Sequence, residues 1–223
     1  KSQKEMLLSM NVIELFSSID GEGKRQGFLT TFLRLHDCNI RCSYCDTLYS
    51  YGPESTFESM SVQAVADVIE QLENHRITIT GGEPLLQEPA IIELIDELTR
   101  RNARYDFNIE TNGTIIPSFH RDNVWFTYDY KTPSSLAEDA MNLDIFKVAT
   151  PADIIKFVVG SMQDLDRMDE ILKTYPTEAQ IFVSPVWGNI EGAAIVDYMK
   201  AHNWQDVRFQ LQIHKFIWDP DAK

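Results

Sequence analysis

The chain has 223 residues, a length that fits one domain with a single sizeable core. Its formal net charge of −14 argues against a nucleic-acid partner, because affinity for phosphates rests on Lys and Arg. Hydrophobic residues make up 43% and charged residues 24%, and no run approaches the roughly 18 to 20 apolar residues of a membrane helix. We therefore expect one domain over residues 1–223 that binds a small molecule, with neither nucleic acid nor membrane as a partner.

Apolar runs and helical patterns alternate with a period of roughly 25 to 30 residues, which is typical of repeated βα units around a parallel sheet. In chain order, strands are predicted at 28–35, 77–80, 105–110, 125–130, 154–159, 180–183 and 208–214. Helices are predicted over 61–72, over a segment with the apolar face Ile91, Leu94, Ile95 and Leu98, and around 165–172 and 193–199, with Ser61 and Ser161 as N-caps. Residues 130–153 have a weak pattern and are predicted to form a loop with one short helix at most.

The order of these elements predicts an α/β fold, an incomplete (βα)6-type, TIM-like partial barrel with parallel strands. The segments richest in chemically active side chains come at the ends of predicted strands: the cysteine loop, Thr80-Gly-Gly-Glu-Pro84, Glu110-Thr-Asn-Gly113, Asp129-Tyr-Lys131, Val183-Ser-Pro185 and Gln212-Ile-His-Lys215. Because (βα) barrels carry their active sites at the carboxyl ends of the strands, we expect these segments to share one site.

The three cysteines of the chain, Cys38, Cys42 and Cys45, stand together with the spacing C-x3-C-x2-C. Iron–sulfur clusters usually take four cysteines, and structural zinc usually takes four Cys or His ligands. Three thiolates on one loop therefore leave one ligand position open. We interpret the loop as the cradle of an iron–sulfur cluster in which one iron can bind a small molecule.

Other interpretations of the cysteines stay open. Structural zinc, completed by His36 or His214, is disfavoured because zinc sites tend to use paired C-x2-C segments. Unrelated thiols are disfavoured because free cysteines are usually scattered through a core, and an odd count disfavours a disulfide framework. Thiolates that must stay reduced indicate an intracellular, cytoplasmic setting.

The segment Gly81-Gly-Glu-Pro84 fits the same interpretation. An open iron can bind the amine and carboxylate of S-adenosylmethionine, and reduction of the sulfonium then breaks its S–C5′ bond to give a deoxyadenosyl radical. Two glycines would let the backbone approach the methionine end closely, and Glu83 offers a carboxylate to the ammonium. Such a segment alone also describes an ordinary turn, so its position one βα unit after the cysteines is what makes it informative.

Cys38 to Cys45, with Tyr44 before the last cysteine, and Gly81-Gly-Glu-Pro84 resemble the radical S-adenosylmethionine superfamily. Further segments are similar to the 7-carboxy-7-deazaguanine synthase family, over about residues 11–218: Asp20-Gly-Glu-Gly23, Phe32-Leu-Arg-Leu35, Cys42-Ser-Tyr-Cys-Asp-Thr47, Glu110-Thr-Asn-Gly113, Lys156-Phe-Val-Val159, Ser184-Pro185 and Leu211-Gln-Ile-His-Lys215.

This resemblance implies a lyase that turns 6-carboxy-5,6,7,8-tetrahydropterin into 7-carboxy-7-deazaguanine with loss of ammonia, in queuosine and 7-deazapurine biosynthesis. It implies a [4Fe–4S] cluster, S-adenosylmethionine and Mg²⁺ as cofactors. It also implies an electron donor such as flavodoxin or ferredoxin, and it suggests a homodimer.

The resemblance assigns site residues by position. Cys38, Cys42 and Cys45 would bind the cluster and Thr47 would bind Mg²⁺. The cofactor is expected at Tyr44, Cys45, Asp46, Gly82, Glu83, Asp129, Tyr130 and Lys131. The substrate is expected at Ile19, Asp20, Gly21, Glu22, Arg34, Thr80 and His214. Glu110 is the expected catalytic residue, which handles protons or orients the substrate near the metal.

Residue chemistry agrees with part of this assignment. The planar guanidinium of Arg34 suits a carboxylate, and the acid of Glu22 suits the donors of an aminopyrimidinone edge. A surface salt bridge for Arg34 and a core position for His214 remain alternatives. The chain departs from its relatives at Ile19-Asp-Gly-Glu-Gly23, where many have Leu-Gln-Gly-Glu-Gly, and at Asp129-Tyr-Lys131, where others have Ser-Pro-Lys.

Two other functions compete with this one. A glycyl-radical activase shares the C-x3-C-x2-C spacing and the compact size, but acts on a protein and has no need of Arg34, Thr47 and His214 around a small pocket. A non-catalytic zinc-binding module is the alternative from a different class.

Overall fold

The computed structural model describes residues 8–218. Within this range nine strands form one sheet: β1 (Ser9–Ile19), β2 (Leu29–Leu35), β3 (Glu58–Ser61), β4 (Arg76–Gly81), β5 (Asp106–Thr111), β6 (Val124–Tyr130), β7 (Ile154–Val159), β8 (Gln180–Pro185) and β9 (Val207–Phe209). The helices of the same range are α1 (Val62–Gln71), α2 (Glu88–Arg101), α3 (Ile145–Val148), α4 (Met162–Thr174), α5 (Gly192–Ala201) and α6 (His214–Ile217). None of these helices has the length and apolarity needed to cross a bilayer.

The sheet has the order β3-β1-β2-β4-β5-β6-β7-β8-β9, and β2 and β4 to β9 run parallel. The predicted α/β partial barrel is confirmed. The sequence did not predict β1 and β3, which pair antiparallel at one end of the sheet. Most side chains of β1 are half-buried, so the strand lacks the alternation that marks a one-sided strand, and β3 has only four residues.

The outer faces of the parallel strands and the apolar faces of the long helices form the core. Ile77 and Ile79 of β4 are fully buried there with Ile91 and Leu94 of α2. Burying each such side chain contributes about 1.5 to 3 kcal/mol, so the period-2 and period-3.6 patterns together fix which faces meet. The predicted N-cap of α4 is confirmed, because the hydroxyl of Ser161 accepts from the amide of Asp164, and Ser61 caps α1 in the same way.

The inner faces of the strands carry several polar and charged side chains. Thr127 donates from Oγ1 to Oδ1 of Asn108 at 2.8 Å across β6 and β5, and Lys156 of β7 lies beside Asp129 of β6. The interior of a closed TIM barrel is normally packed with branched apolar residues. A polar interior instead indicates a site inside the barrel.

Residues after β1 meet residues after β9 and join the two sides of the open barrel. The side chain of Gln210 accepts from the amide of Gly23 at 2.7 Å and donates to its carbonyl at 3.0 Å, and the amide of Ile213 donates to Gly21 at 3.0 Å. The predicted strand at 208–214 is therefore wrong beyond Phe209. Its polar groups pair with the loop after β1 instead of extending the ladder.

Two connections between strands lack a long helix. Residues 130–153 form two 3₁₀ turns and α3, as the predicted loop with one short helix requires. No helix lies between β5 and β6, so the repeat is not a strict alternation of strand and helix in the described residues.

Candidate radical S-adenosylmethionine site

The cysteine loop begins where β2 ends, at the carboxyl edge of the parallel strands. All three thiols are half-buried. Burial raises the pKa of Cys42, and the Cys45 and Cys38 thiols add to the rise, so the three sulfurs lie close enough to interact. Arg41 donates to the carbonyl of Cys38 at 2.7 Å, and Nδ2 of Asn112 lies 3.8 Å from its sulfur. The loop is thus anchored from its own residues and from the end of β5.

Gly81 and Gly82 let the end of β4 lie against the start of the cysteine loop. A Cβ on Gly81 would stand 2.2 Å from the carbonyl oxygen of Leu35, and one on Gly82 would stand 2.0 Å from that of Asp37. Gly81 also has a φ of +145°, which disfavours other residues. The sequence predicted a close approach for these glycines, but the neighbour seen in the structure is the protein backbone.

Glu83 is fully buried, and its carboxylate joins the turn after β4 to the end of β5. Oε1 accepts from the amide of Leu85 and the hydroxyl of Thr111, both at 2.9 Å, and Oε2 accepts from the amide of Asn112 at 2.7 Å. Burial raises the pKa of Glu83, and these hydrogen bonds act against the rise. The carboxylate predicted to meet the cofactor ammonium thus already has three donors from the chain.

A row of alternating charges crosses the barrel interior. Nζ of Lys156 lies 2.7 Å from Oε1 of Glu22 and 3.7 Å from Oδ2 of Asp129, and Asp129 also pairs with Lys131 at 3.0 Å. Burial alone would lower the pKa of both lysines, but their carboxylate partners outweigh it and raise the pKa instead. Oδ1 of Asp129 is buried and has no hydrogen-bond partner among residues 8–218. Oδ1 of Asp129 is therefore available to accept a hydrogen bond from a ligand.

Glu110 faces this row from β5. Burial raises its pKa to about 7, and Glu22 and Asp20 act in the same direction, against Lys156 and a hydrogen bond from Thr80. A carboxyl group with this pKa exchanges its proton near neutral pH, which is the property of a general acid or base.

Arg34 lies on the inner face of β2 and is mostly buried. Its Nε donates to Oε1 of Glu14 at 2.6 Å, and the hydroxyl of Tyr49 donates to the same oxygen at 2.8 Å. The sequence missed Glu14 because it missed β1. The Glu14 contact engages Nε, and the outer Nη atoms of the fork can serve a second carboxylate.

The predicted substrate segment 19–22 divides in two. Ile19 ends β1, and the carboxylate of Asp20 is 2% exposed beside Arg25, Thr30 and Thr78. Only the side chain of Glu22 joins the row of interior charges. The departure from the family pattern at Asp20 therefore falls on a structural ion pair at the amino end of the strands.

His214, which begins α6, closes over this segment. A Cβ on Gly21 would come within 2.0 Å of Nδ1 of His214, so the glycine makes room for the ring. Burial lowers the pKa of His214, while Glu22 and Asp46 oppose the change. Nearby, Nζ of Lys215 lies 3.8 Å from the carboxylate of Asp46. The sequence placed Lys215 in a motif without giving it a role, whereas Asp46 was expected near the cofactor.

Thr47 and Asp46 form one contact, in which Oγ1 of Thr47 donates to Oδ1 of Asp46 at 2.8 Å. Desolvation by neighbouring groups acts to raise the pKa of Asp46, but its side chain is 64% exposed, and the Thr47 hydrogen bond and the cations Lys215 and Arg34 lower the pKa overall. The pair offers hard oxygen atoms beside the cysteine loop.

The two predicted tyrosines lie differently. The hydroxyl of Tyr44 reaches the carbonyl of Val158 on β7 at 3.3 Å, above the interior. The side chain of Tyr130 points to the helical layer, where its hydroxyl donates to Glu138 and its ring packs 4.9 Å from Phe157. The structure therefore brings Asp129 and Lys131 into the interior but not the Tyr130 side chain.

The residues present fit an iron–sulfur cluster better than a single zinc ion. In residues 8–218 no three His, Cys, Asp or Glu side chains stand close enough to share one ion, and the His36 ring packs at a tilt against Phe57, with the ring centroids 4.3 Å apart. A cluster spreads its thiolates over separate irons, so spaced sulfurs on one loop suit it. The Oδ1 atom of Asp129, buried and without a partner among residues 8–218, leaves a polar acceptor available to a bound group.

Comparisons with known proteins agree with this site. Residues 34–158 match the Radical SAM superfamily. A 7-carboxy-7-deazaguanine synthase of Clostridium acetobutylicum is 37% identical over 97% of this chain and 99% of its own length. One from Methanospirillum hungatei JF-1 is also 37% identical, over 95% of this chain and 86% of its own. The crystal structure of QueE from Escherichia coli shares the fold, with a TM-score of 0.70 at 22% identity over 91% of this chain and 93% of that one.

The fold, the cysteine loop and the superfamily match define a radical S-adenosylmethionine enzyme, a class that uses a [4Fe–4S] cluster and S-adenosylmethionine. Within that class, the full-length relatives show that the chain belongs to the 7-carboxy-7-deazaguanine synthase family.

Proposed function

We propose that the chain converts 6-carboxy-5,6,7,8-tetrahydropterin into 7-carboxy-7-deazaguanine with loss of ammonia. The observation that carries the proposal is the polar barrel interior, in which Glu110, with a pKa of about 7, faces the Glu22–Lys156 ion pair. Such an interior suits a small polar heterocycle with a carboxylate. The names of the full-length relatives supply the particular reaction.

Cys38, Cys42 and Cys45 would hold the cluster, and the polar groups around Asp129 and Lys131 would hold S-adenosylmethionine beside it. When bound, the cluster and S-adenosylmethionine supply one-electron reduction of a sulfonium and hence radical chemistry. The chain supplies position and exclusion of water. The spare Oδ1 of Asp129 supports this assignment, because a buried acceptor without a partner costs free energy until a ligand donates to it.

The substrate would lie between Arg34 and Glu22, with Thr80 and His214 at its sides. The Nη atoms of Arg34 would donate to its carboxylate, and Glu22, fixed by Lys156, would accept from the aminopyrimidinone edge. Thr80 aligns with Arg34 in the β2–β4 register, so both face the same space.

Glu110 would move protons during ring contraction. Expulsion of ammonia requires a proton at the leaving nitrogen, and formation of the aromatic product requires loss of one from carbon. A carboxyl group with a pKa near 7 can serve in either direction.

We also propose that Mg²⁺ binds at Thr47, where the Asp46 contact provides the oxygen ligands that this ion prefers. A one-electron donor such as flavodoxin or ferredoxin would reduce the cluster. The chain would act as one domain, as a homodimer, in the reducing cytoplasm that free thiols need.

The test is turnover by anaerobically reconstituted protein with the carboxytetrahydropterin, S-adenosylmethionine, Mg²⁺ and a chemical reductant. We expect 7-carboxy-7-deazaguanine and ammonia in equal amounts, and neither from Cys38→Ala. Cleavage of S-adenosylmethionine without consumption of the pterin would reject this substrate and favour an activase, and a colourless zinc protein would reject the radical chemistry.

A further inference from the structure

Lys156 occupies a central place in the site, although the sequence alone assigns it no role. It lies on the inner face of β7 and is almost completely buried. Its ammonium pairs with Glu22 at 2.7 Å and stands 3.7 Å from Asp129. These two acids belong to opposite halves of the proposed site, since Glu22 is on the substrate side and Asp129 on the cofactor side.

We infer that Lys156 is a positioning residue that orients Glu22 towards the pterin and ties it to Asp129 on the cofactor side. The inference rests on the proposed function and extends it to a residue beyond the predicted site. A buried lysine is costly, so it persists where its partners and its purpose require a charge.

The loop geometry explains why such a residue is needed. Glu22 sits between Gly21, whose carbonyl accepts from Ile213, and Gly23, whose amide and carbonyl both bond to Gln210. These bonds fix the backbone on both sides of Glu22 but do not set the direction of its side chain. The side chain has two partners from distant segments, Lys156 at 2.7 Å and Gln212 at 3.4 Å. The shorter, charge-assisted contact is the stronger restraint.

Lys156 also acts on Glu110, which distinguishes it from a purely structural lysine. The groups that act on Glu110 come from three neighbouring segments: Lys156 on β7, Glu22, Asp20 and Arg25 after β1, and the Thr80 hydroxyl on β4. Among them Lys156 lowers the pKa of Glu110 and Glu22 raises it. Removing the two partners of one ion pair should therefore shift Glu110 in opposite directions.

The experiment compares pH profiles of kcat/KM for the pterin in four variants of the reconstituted enzyme. Lys156→Met should move the midpoint near pH 7 upward by about one unit or more, since an opposite charge has been lost. Glu22→Gln should move it downward. The double variant Glu22→Gln/Lys156→Met should have a midpoint close to that of the wild type. Lys156→Arg keeps the charge and should also leave the midpoint almost unchanged.

Substrate affinity gives the second readout. Lys156→Met should weaken anaerobic binding of the pterin about tenfold or more, as expected when a charge-assisted restraint is lost. The double variant should stay equally weak although its midpoint recovers, because Glu22 is gone. Lys147→Met, which removes an exposed lysine paired with Asp144 on α3, serves as the control and should change neither readout.

Midpoint shifts of the same sign in Lys156→Met and Glu22→Gln, or pterin binding in Lys156→Met as tight as in the wild type, would overturn the inference. Loss of thermal stability in Lys156→Met with an unchanged midpoint would do the same. The wild-type enzyme separates the two proposals, because failure of the wild type to convert the pterin counts against the proposed function itself.

Discussion

Asp20 and Glu22 are two residues apart in the chain, yet the ion pairs that they form differ in how completely their hydrogen-bonding groups are paired. The Asp20 carboxylate meets Arg25 at 3.3 Å, and Nη2 of Arg25 donates to the carbonyl of Ile77 and the hydroxyl of Thr78, both at 2.8 Å. The guanidinium thus has strong acceptors on several sides. This cluster lies at the amino end of the strands and fastens the loop to the sheet.

The Glu22 cluster is also built from buried ion pairs, but some of its hydrogen-bonding groups are not fully paired. Lys156 serves two acids, Oδ1 of Asp129 has no partner among the described residues, and Glu110 has a pKa of about 7. Buried polar groups in a stable core are normally satisfied, so an unsatisfied charge cluster points to a ligand. Burial of charge alone therefore does not distinguish the two clusters, whereas the unpaired acceptor of Asp129 and the raised pKa of Glu110 do.

The largest loss of activity is expected from substitution of the cysteines. Cys38→Ala, Cys42→Ala and Cys45→Ala should each lose most reconstituted iron and abolish S-adenosylmethionine cleavage, because the chain has no other thiol to replace them. Iron content and deoxyadenosine release measure this. Ser43→Ala, on the same loop, should keep both, and full cleavage by any cysteine variant would contradict the cluster assignment.

Arg25→Met tests the satisfied cluster. Removing one partner of a buried ion pair leaves Asp20 uncompensated, and we expect a loss of about 3 to 5 kcal/mol in the free energy of unfolding. Urea denaturation measures it. Arg100→Met, which removes an exposed guanidinium paired with Glu97, should cost far less, because water screens an exposed pair. If the two variants lost the same free energy of unfolding, the cluster around Asp20 and Arg25 would have no special structural role.

Glu110 should reverse the usual pH dependence of a carboxylate. Its folded pKa of about 7 lies above the ordinary 4.5, so the folded state binds the proton more tightly and stability falls as pH rises from about 4.5 to 7. The full loss for this shift is on the order of 3 kcal/mol. Glu110→Gln removes the titration and should raise the free energy of unfolding more at pH 8 than at pH 5. A variant with an equal effect at both pH values would show that the group is already ionised when folded.

The sequence predicted the inner-face residues better than their partners. Arg34, Thr80, Glu110 and Asp129 follow from strands with strong patterns, since the carboxyl ends of parallel strands meet at one edge. Glu14 could not be found, because β1 has no clear alternation.

Lys156 and Glu22 are 134 residues apart, and their pairing depends on closure of the barrel by the segments after β1 and β9. That closure uses side chain to backbone bonds such as those of Gln210, which leave no periodic signal. Tyr130 shows the reverse case, in which a residue inside a functional segment turns its side chain to the core.

Arg34→Lys should weaken pterin binding by about 1.5 to 3 kcal/mol, because an ammonium cannot donate in parallel to a carboxylate and still hold Glu14. Calorimetry under anaerobic conditions measures it, with the cluster spectrum as a check on the site. Glu14→Gln is the matched variant, since it loses the same ion pair but keeps the guanidinium. If Glu14→Gln weakens binding as much as Arg34→Lys, the guanidinium acts through its place in the fold and not through the substrate.

Thr47→Ala should have the smallest effect of this series, and it tests the proposed Mg²⁺ site beside the cysteine loop. A Mg²⁺ ion usually keeps several waters, so loss of one hydroxyl ligand should raise the Mg²⁺ concentration needed for half-maximal turnover without abolishing it. Asp46 keeps its neighbour Lys215 in this variant, so the loop should stay in place and the cluster spectrum should not change. Thr47→Ser retains the oxygen and should behave as the wild type in a Mg²⁺ titration. If Thr47→Ala instead loses its cluster, the hydroxyl serves the cysteine loop through its 2.8 Å bond to Asp46, and the metal belongs elsewhere.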